Sequence, residues 1–175
     1  MRLEHDWLPV DLPDNVDLAA DSYVHSAFAF LHYRSRRACG VRIGAKTWVN
    51  DAAFFHLGSQ GTVSIGRHCL INGTGFATNS DITLGDFVFT STEVFLIDRD
   101  AAIPPHDPHS EANPELSNAI TIGDDCWVGM RTVILGGTTL GQGVTVGAGS
   151  VVRGDFPPYT IVAGNPARVV GSVDR

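Results

Sequence analysis

Two histidines, His106 and His109, stand in a polar, proline-rich stretch that runs from about residue 98 to residue 118. An imidazole has an ordinary pKa of about 6.5, so it can accept or donate a proton near neutral pH. Asp98 and Asp100 open the same stretch and could replace a histidine as base or orient one. The stretch therefore supplies groups for general acid–base chemistry. The simpler interpretation is that all four side chains are solvated.

Of the two histidines, we favour His106 as the base. Prolines at positions 104, 105 and 108 flank it on both sides. Each proline fixes φ, so this part of the chain is stiff. Little conformational freedom is then left to lose when the imidazole is held in place. His109 lies further along, where the stretch turns back toward Ile120.

An aliphatic residue recurs every six positions beyond this stretch. The six members are Ile122, Val128, Ile134, Leu140, Val146 and Val152. A period of six is neither 3.6 nor 2, so neither a helix nor an ordinary long strand explains it. Four positions after each aliphatic stands a residue that suits a tight interior or the end of that interior. Because four is an even number, the two side chains lie on the same face of a short strand. The step indicates a coil of short strands and bends, a parallel β-helix. An ordinary β-sandwich does not require a fixed step of six.

The same repeat is present before residue 98. A cassette of aliphatic-x-aliphatic-Gly opens at residues 41, 63, 82 and 120, close to one coil of three hexads apart. We predict roughly five coils, a prism about 24 Å tall at the usual strand spacing. The glycine after the aliphatic suits a sharp bend or an unusual backbone angle. Because the repeat resumes in phase after residue 118, the stretch between is an inserted loop, and such insertions usually mark a binding face.

Residues 1–37 contain no hexad and are predicted to be an N-terminal segment that caps the first coil. Residues 38–175 are predicted to form the β-helix and its C-terminal tail. Within the cap, the apolar residues between 24 and 32 fit either a helix or a strand. Arg34, Arg36 and Arg37 form a small basic cluster that is either a solvated face or a contact for an anionic ligand.

Composition excludes several classes of function. The net charge is -7 and no basic stripe occurs, which argues against a nucleic-acid partner. No run approaches the roughly 20 apolar residues of a membrane span, and the N-terminus does not resemble a signal peptide. Cys39, Cys69 and Cys126 are isolated from one another and lack metal-ligand spacing, so we interpret them as small core residues, expect no metal and predict a cytoplasmic protein.

The C-terminal motifs carry a family resemblance. The runs Ile-Gly-Asp-Asp-Cys-Trp-Val-Gly at 122–129, Val-Gly-Ala-Gly-Ser-Val-Val at 146–152 and Pro-Pro-Tyr-Thr-Ile-Val-Ala-Gly-Asn-Pro-Ala-Arg at 157–168 resemble the hexapeptide-repeat acyltransferases. The similarity is to the maltose, galactoside and colanic-acid O-acetyltransferases, over about residues 41–171. It implies an all-β, left-handed parallel β-helix that assembles as a homotrimer.

The resemblance also implies a chemistry. Such enzymes move an acetyl group from acetyl-CoA, bound between neighbouring prisms, to a hydroxyl of a sugar or other small-molecule acceptor, with a loop histidine as general base. Trp127 matches the tryptophan beside the coenzyme, Ala148 a backbone contact to its pantetheine arm, and Arg168 a basic residue near its nucleotide end. Asn72 and Asn79, on the coils before the loop, could bind the acceptor, although turn-forming asparagines are commoner.

Three positions depart from the family pattern. Arg153 replaces the usual threonine or serine beside the coenzyme and could meet a phosphate instead. Gly171 replaces a second basic residue. The catalytic histidine is expected close to Leu96, where this chain has Asp98 and Asp100.

These departures keep two alternatives open. The first is a repurposed β-helix that does not bind coenzyme A, which a calorimetric titration with acetyl-CoA would reveal. The second is a metalloenzyme similar to the γ-carbonic anhydrases, with zinc held by histidines across an interface. His56, His68, His106 and His109 supply candidate ligands for it, but their spacing does not match, and metal analysis would separate the two.

Overall fold

In the computed structural model, which describes residues 1–50, 52–98 and 118–173, the chain winds into a parallel β-helix of triangular cross-section. Each coil contributes one short strand to each of three sheets, called sheets A, B and C in the order in which the chain visits them. The all-β, parallel β-helix fold predicted from the six-residue step is confirmed.

The strands of each sheet stack in chain order. Sheet A contains β1 (Val16–Leu18), β3 (Val41–Ile43), β6 (Thr62–Ile65), β9 (Asp81–Leu84), β12 (Ile120–Ile122), β15 (Thr138–Leu140) and β18 (Asp155–Phe156). Sheet B contains β2 (Tyr23–Val24), β4 (Trp48–Val49), β7 (Leu70–Ile71), β10 (Phe89–Thr90), β13 (Trp127–Val128), β16 (Thr145–Val146), β19 (Thr160–Gly164) and β20 (Ala167–Ser172). Sheet C contains β5 (Phe54–Leu57), β8 (Gly75–Thr78), β11 (Phe95–Ile97), β14 (Val133–Leu135) and β17 (Val151–Val152).

The five coils predicted from sequence run from β3 to β17, and further strands extend the prism at both ends. At the N-terminal end, β1 and β2 pair with β3 and β4, and a 3-10 helix, Ala27–Phe30, packs on β5. The segment that fitted either a helix or a strand thus contains both. At the other end β18 and β19 add parallel strands, and β20 turns back antiparallel on β19. The boundary at residue 37 stays a prediction.

The core is a stack of the hexad residues. All six aliphatics of the second half of the repeat, from Ile122 to Val152, are at most 1% exposed. Cys69 and Cys126 are likewise buried free thiols in small inward positions, and burial raises the pKa of the Cys126 thiol to about 11. The inward aliphatic side chains therefore form a packed apolar core along the prism.

The glycines that follow the aliphatics have a different role from the one expected. Gly123 and Gly129 do not have a positive φ; the left-handed positions are two residues later, at Asp125 and Arg131. A Cβ at Gly129 would lie 2.7 Å from the backbone nitrogen of Ala148 in the next coil. These glycines are therefore required by the close approach of successive coils, and not by an unusual backbone angle.

The three corners of the prism are named here by the sheets they join. Corner 1 leads from sheet A to sheet B, corner 2 from B to C, and corner 3 from C back to A. The inserted loop leaves corner 3 after β11 and returns before β12. Because β12 pairs in register with β9, and β14 with β11, the insertion leaves the stacking of the coils unchanged.

Candidate functional site

The loop leaves the coil at a buried carboxylate. Asp98 directly follows β11 and is 1% exposed. Its Oδ2 accepts hydrogen bonds from the Thr78 hydroxyl at 2.5 Å, the Asn79 N–H at 2.6 Å and the Ser80 N–H at 3.0 Å. The interpretation of Asp98 as a solvated loop carboxylate is therefore wrong. Its side chain ties the first residue of the loop to the turn of the coil below.

Thr78 and Ser80 were not singled out in the sequence. The available signal was spacing, because Thr78 stands 20 residues before Asp98, close to one coil, and Leu57, Thr78 and Asp98 follow one another up corner 3. A carboxylate at the end of a hexad, one coil above a threonine, indicates a capping contact between adjacent turns.

The other three loop candidates, His106, His109 and Asp100, lie outside the described residues. Their predicted roles as base or orienting group stay predictions.

The two asparagines proposed for the acceptor lie at different corners. Asn79 is on corner 3, one coil below Asp98, and its Oδ1 accepts a hydrogen bond from the Gln60 N–H at 3.0 Å. Asn72 is on corner 2, where its Oδ1 accepts from the Asn50 amide at 2.7 Å and its amide donates to the Thr90 carbonyl at 3.2 Å. Only Asn79 is therefore near the base of the loop, and both side chains link successive coils.

Trp127 projects from the outer face of sheet B. It is 52% exposed, and its indole N–H donates to the Ser91 hydroxyl at 3.4 Å. It stands at the top of an outer column of apolar side chains aligned by strand register: Tyr23, Trp48, Leu70, Phe89 and Trp127. This outer column presents a continuous apolar stripe to the outside of the prism.

Ala148 and Arg168 lie beside the same sheet in the uppermost coils. Ala148 is exposed on corner 2, directly above Gly129. Arg168 is exposed on β20, in register with Ala163 of β19, and one guanidinium N–H donates to the Ala167 carbonyl at 2.7 Å. The structure thus brings Trp127, Ala148 and Arg168 to sheet B and its adjoining corner, over the three strand spacings from β13 to β20, about 4.8 Å each.

Arg153 is not part of this group. It lies on corner 3, exposed, at a shallow cavity of about 360 Å³ that Ala119, Thr121, Thr139 and Asp155 also line. Ala119 is where the loop rejoins the coil, so Arg153 stands just above the loop base. Apart from Asn72 on corner 2, the site candidates in the described ranges therefore form two groups within one chain. Asn79, Asp98 and Arg153 lie on corner 3, and Trp127, Ala148 and Arg168 lie on the side of sheet B.

The candidate zinc ligands are also separated. His56 projects from the outer face of sheet C, while His68 occupies a left-handed position on corner 1 and stacks on Phe87 with ring centroids 4.8 Å apart. Over the three described ranges, no group of three His, Cys, Asp or Glu side chains is arranged to hold a metal ion. In those ranges, too, no helix is long and apolar enough to cross a membrane.

Known proteins share both the repeat and the fold. Residues 119–154 match the family model described as bacterial transferase hexapeptide (six repeats). Galactoside O-acetyltransferase of Escherichia coli K12 is 34% identical over 136 residues, which cover 75% of this chain and 64% of that protein. The putative lipopolysaccharide biosynthesis O-acetyl transferase WbbJ of the same organism is 38% identical over 101 residues, which cover 54% of this chain and 52% of WbbJ.

Solved structures extend the comparison. A Vibrio cholerae hexapeptide-repeat acetyltransferase, VCA0836, solved with acetyl coenzyme A, has a TM-score of 0.50 and 29% identity, over 77% of this chain and 61% of its own. AntD, an N-acyltransferase from Bacillus cereus solved with dTDP and 3-hydroxybutyryl-CoA, has a TM-score of 0.62 and 21% identity, over 93% of this chain and 82% of its own. At that identity, AntD supports the fold alone.

These matches support the resemblance stated from the motifs: residues 119–154 carry the hexapeptide repeat, and the chain is similar to proteins named as O-acetyltransferases. It spans less than two thirds of the length of the curated relatives described above.

Proposed function

We propose that this protein transfers an acetyl or related acyl group from coenzyme A to a hydroxyl of a sugar or other small-molecule acceptor. The observation that carries the proposal is the placement of Trp127, Ala148 and Arg168 on one side of the prism, on or beside neighbouring strands of sheet B from β13 to β20. An elongated coenzyme needs such a line of contacts. The similarity to O-acetyltransferases, and to a relative solved with acetyl coenzyme A, supports the same chemistry.

We also propose that the complete site forms between copies of the chain. The loop base on corner 3 and the coenzyme contacts beside sheet B lie apart within one prism, whereas a cyclic trimer can set corner 3 of one copy against sheet B of the next. The outer column supplies a reason to associate, since Trp48 and Trp127 are 54% and 52% exposed and adjoin other apolar side chains. Light scattering should give three times the chain mass of 18.7 kDa, and a monomer at micromolar concentration would contradict this assembly.

The proposed reaction needs one positioned base. A loop histidine, His106 in preference to His109, removes the proton from the acceptor hydroxyl as its oxygen attacks the thioester carbonyl, and it returns a proton to the departing thiol. Backbone N–H groups near the carbonyl would stabilise the developing oxyanion. Asp98, fixed by three hydrogen bonds, sets the point from which the loop starts.

The decisive experiment is a calorimetric titration with acetyl-CoA, followed by an assay of thiol release with a panel of sugars, alcohols and amines. Saturable binding, with turnover in the presence of a hydroxyl acceptor, is the expected result. If no coenzyme binds, the protein is a repurposed β-helix. Turnover with amines alone would show that the acceptor group is an amine and not a hydroxyl.

The coenzyme contacts can be tested separately with Arg168→Ala. This change should weaken acetyl-CoA binding, because a charge-assisted hydrogen bond contributes about 1.5–3 kcal/mol. Unchanged affinity would remove Arg168 from the site. We further place the protein in the cytoplasm, on its three free cysteines.

A further inference from the structure

The basic cluster of the N-terminal segment is held against the first coil. The N–H groups of Arg34 and Arg36 donate to the carbonyls of Leu57 and Ser59, at 3.0 and 2.9 Å, so this segment runs along the open end of sheet C. On its other side, the Asn15 amide donates to the Arg37 carbonyl at 2.8 Å. The backbone that carries these arginines is therefore fixed from two directions.

Between this segment and corner 3 lies a cleft of about 420 Å³, the basic cleft. It is lined by Arg36, Arg37, Ala38, Cys39, Gln60 and Thr62. Its Thr62 hydroxyl donates to the exposed carboxylate of Asp81 at 2.6 Å. In a chain of net charge -7, the cleft brings two arginines together beside the one carboxylate of Asp81.

The two arginines of the basic cleft have no carboxylate partner among the described residues. The ion pairs found there belong to other arginines: Arg42 with Asp17, Arg67 with Asp86 and Arg131 with Glu93. Three of the exposed arginines are thus neutralised by a neighbour, whereas Arg36 and Arg37 are exposed residues that line the cleft without such a neighbour in the described part of the chain. A hydrogen-bonded backbone that carries two guanidinium groups without a carboxylate partner fits an anionic ligand that arrives from solution.

We propose that the basic cleft binds a phosphate or diphosphate group. Guanidinium groups present forked N–H donors that match phosphate oxygens in bidentate fashion, and two arginines line this cleft. Two positive charges side by side suit a diphosphate, whose charge is spread over two groups.

The position of the basic cleft indicates that the bound phosphate or diphosphate is part of the acceptor. This assignment rests on the proposed function. The Gln60 N–H donates to Asn79 Oδ1 at 3.0 Å, and the Asn79 N–H donates to Asp98 Oδ2 at 2.6 Å. Corner 3 thus connects the cleft to the loop base over two coil spacings, roughly 10 Å. A phosphorylated or diphosphate-linked small molecule bound in the cleft would extend its next group toward the loop.

The test is calorimetry on the full chain with three probes: inorganic phosphate, inorganic pyrophosphate and a nucleoside diphosphate. Wild-type protein should bind at least one, and the double variant Arg36→Gln/Arg37→Gln should bind it roughly tenfold to a hundredfold more weakly, the usual loss for charge-assisted contacts. Tighter binding of the nucleoside diphosphate than of pyrophosphate would identify a nucleotide-linked ligand over a free anion.

Arg42→Gln is the matched control, since Arg42 is an exposed arginine already paired with Asp17 on sheet A. It should leave the affinity for the probes unchanged. The proposal is overturned if wild-type protein binds none of the three probes, or if the double variant binds them as tightly as wild type.

Titration of the same variants with acetyl-CoA separates the two proposals. The double variant should bind acetyl-CoA normally, because Trp127, Ala148 and Arg168 lie in the uppermost coils and the basic cleft lies at the first. A protein that binds a diphosphate in the cleft but no acetyl-CoA would refute the proposed function alone. Loss of acetyl-CoA affinity in the double variant would assign the cleft to the coenzyme and overturn its assignment to the acceptor.

Discussion

Replacement of Asp98 by alanine tests whether this carboxylate anchors the loop base. One oxygen, Oδ2, accepts from the Thr78 hydroxyl and from the N–H groups of Asn79 and Ser80. Asp98→Ala removes this acceptor from a site that is 1% exposed, so the Thr78 hydroxyl and the Asn79 N–H lose their partner, while the Ser80 N–H keeps a hydrogen bond to the Thr78 hydroxyl oxygen at 2.8 Å. An unsatisfied buried donor costs about 1–3 kcal/mol.

The expected size of the effect follows from burial. The Thr78 hydroxyl is buried and takes the full penalty, whereas Asn79 and Ser80 are half-buried and can be partly rehydrated. We therefore expect a loss of about 3 kcal/mol in the free energy of unfolding. For a chain of this size that corresponds to a fall in Tm of roughly 6–12 °C. Differential scanning calorimetry measures it directly.

Two further variants make the result specific. Asp81→Ala removes an exposed carboxylate on a neighbouring strand that accepts one hydrogen bond, from Thr62, and should change stability by less than about 0.5 kcal/mol. Asp98→Asn keeps an oxygen acceptor and should cost less than Asp98→Ala. If Asp98→Ala melts like wild type, the anchoring role is refuted. If Asp98→Asn keeps its stability but loses turnover, the carboxylate takes part in the chemistry.

Four other outcomes are expected. Val146→Asp should unfold the protein or make it insoluble, because it places an unpaired charge at a position 1% exposed, and a soluble, cooperatively melting variant would contradict the core described above. His106→Ala should lower turnover by roughly 10²–10⁴-fold with coenzyme affinity nearly constant, while His109→Ala costs much less. Equal turnover in both would exclude both as the base. Against a thiol reagent near pH 8, half-buried Cys39 should react fastest. Cys69 and Cys126, whose pKa values burial raises, should react only after denaturation, and fast reaction of all three in the folded protein would contradict their burial.

Much of the fold could be predicted from the sequence because every repeat must satisfy the same packing constraint, so the same pattern occurs many times. Every coil must present an aliphatic side chain inward at the same phase, so Ile122 to Val152 are an unambiguous series. The ends were harder, since strands such as Val16–Leu18 and Asp155–Phe156 form by pairing with a coil already present. Val16–Leu18 lies in a segment without a hexad, and Asp155–Phe156 comes after the last aliphatic of the series, Val152.

The candidate site was less accessible from sequence. Side chains that are close in sequence, such as Ala148 and Arg153, separate to different corners because each step of a few residues turns the chain around the prism. The burial of Asp98 depends on Thr78, which is 20 residues away and becomes its neighbour only once the coil has closed. The role of Gly123 and Gly129, which follow the repeated aliphatic residues, likewise depends on the coil above them.

The two ends of the inserted loop meet at a single point. A Cβ at Gly136 would lie 3.2 Å from the Asp98 Cα and 3.0 Å from the Asn118 carbonyl oxygen, so departure and return flank the same glycine. The strands on both sides of the insertion keep their register. The pairing of the coils therefore does not depend on the sequence inserted between these residues. Loops of other lengths and sequences could be grafted there, and a short linker could replace the whole insertion, without refolding the scaffold. The loop sequence, and with it the ligand that the loop recognises, can thus change while the β-helix stays the same.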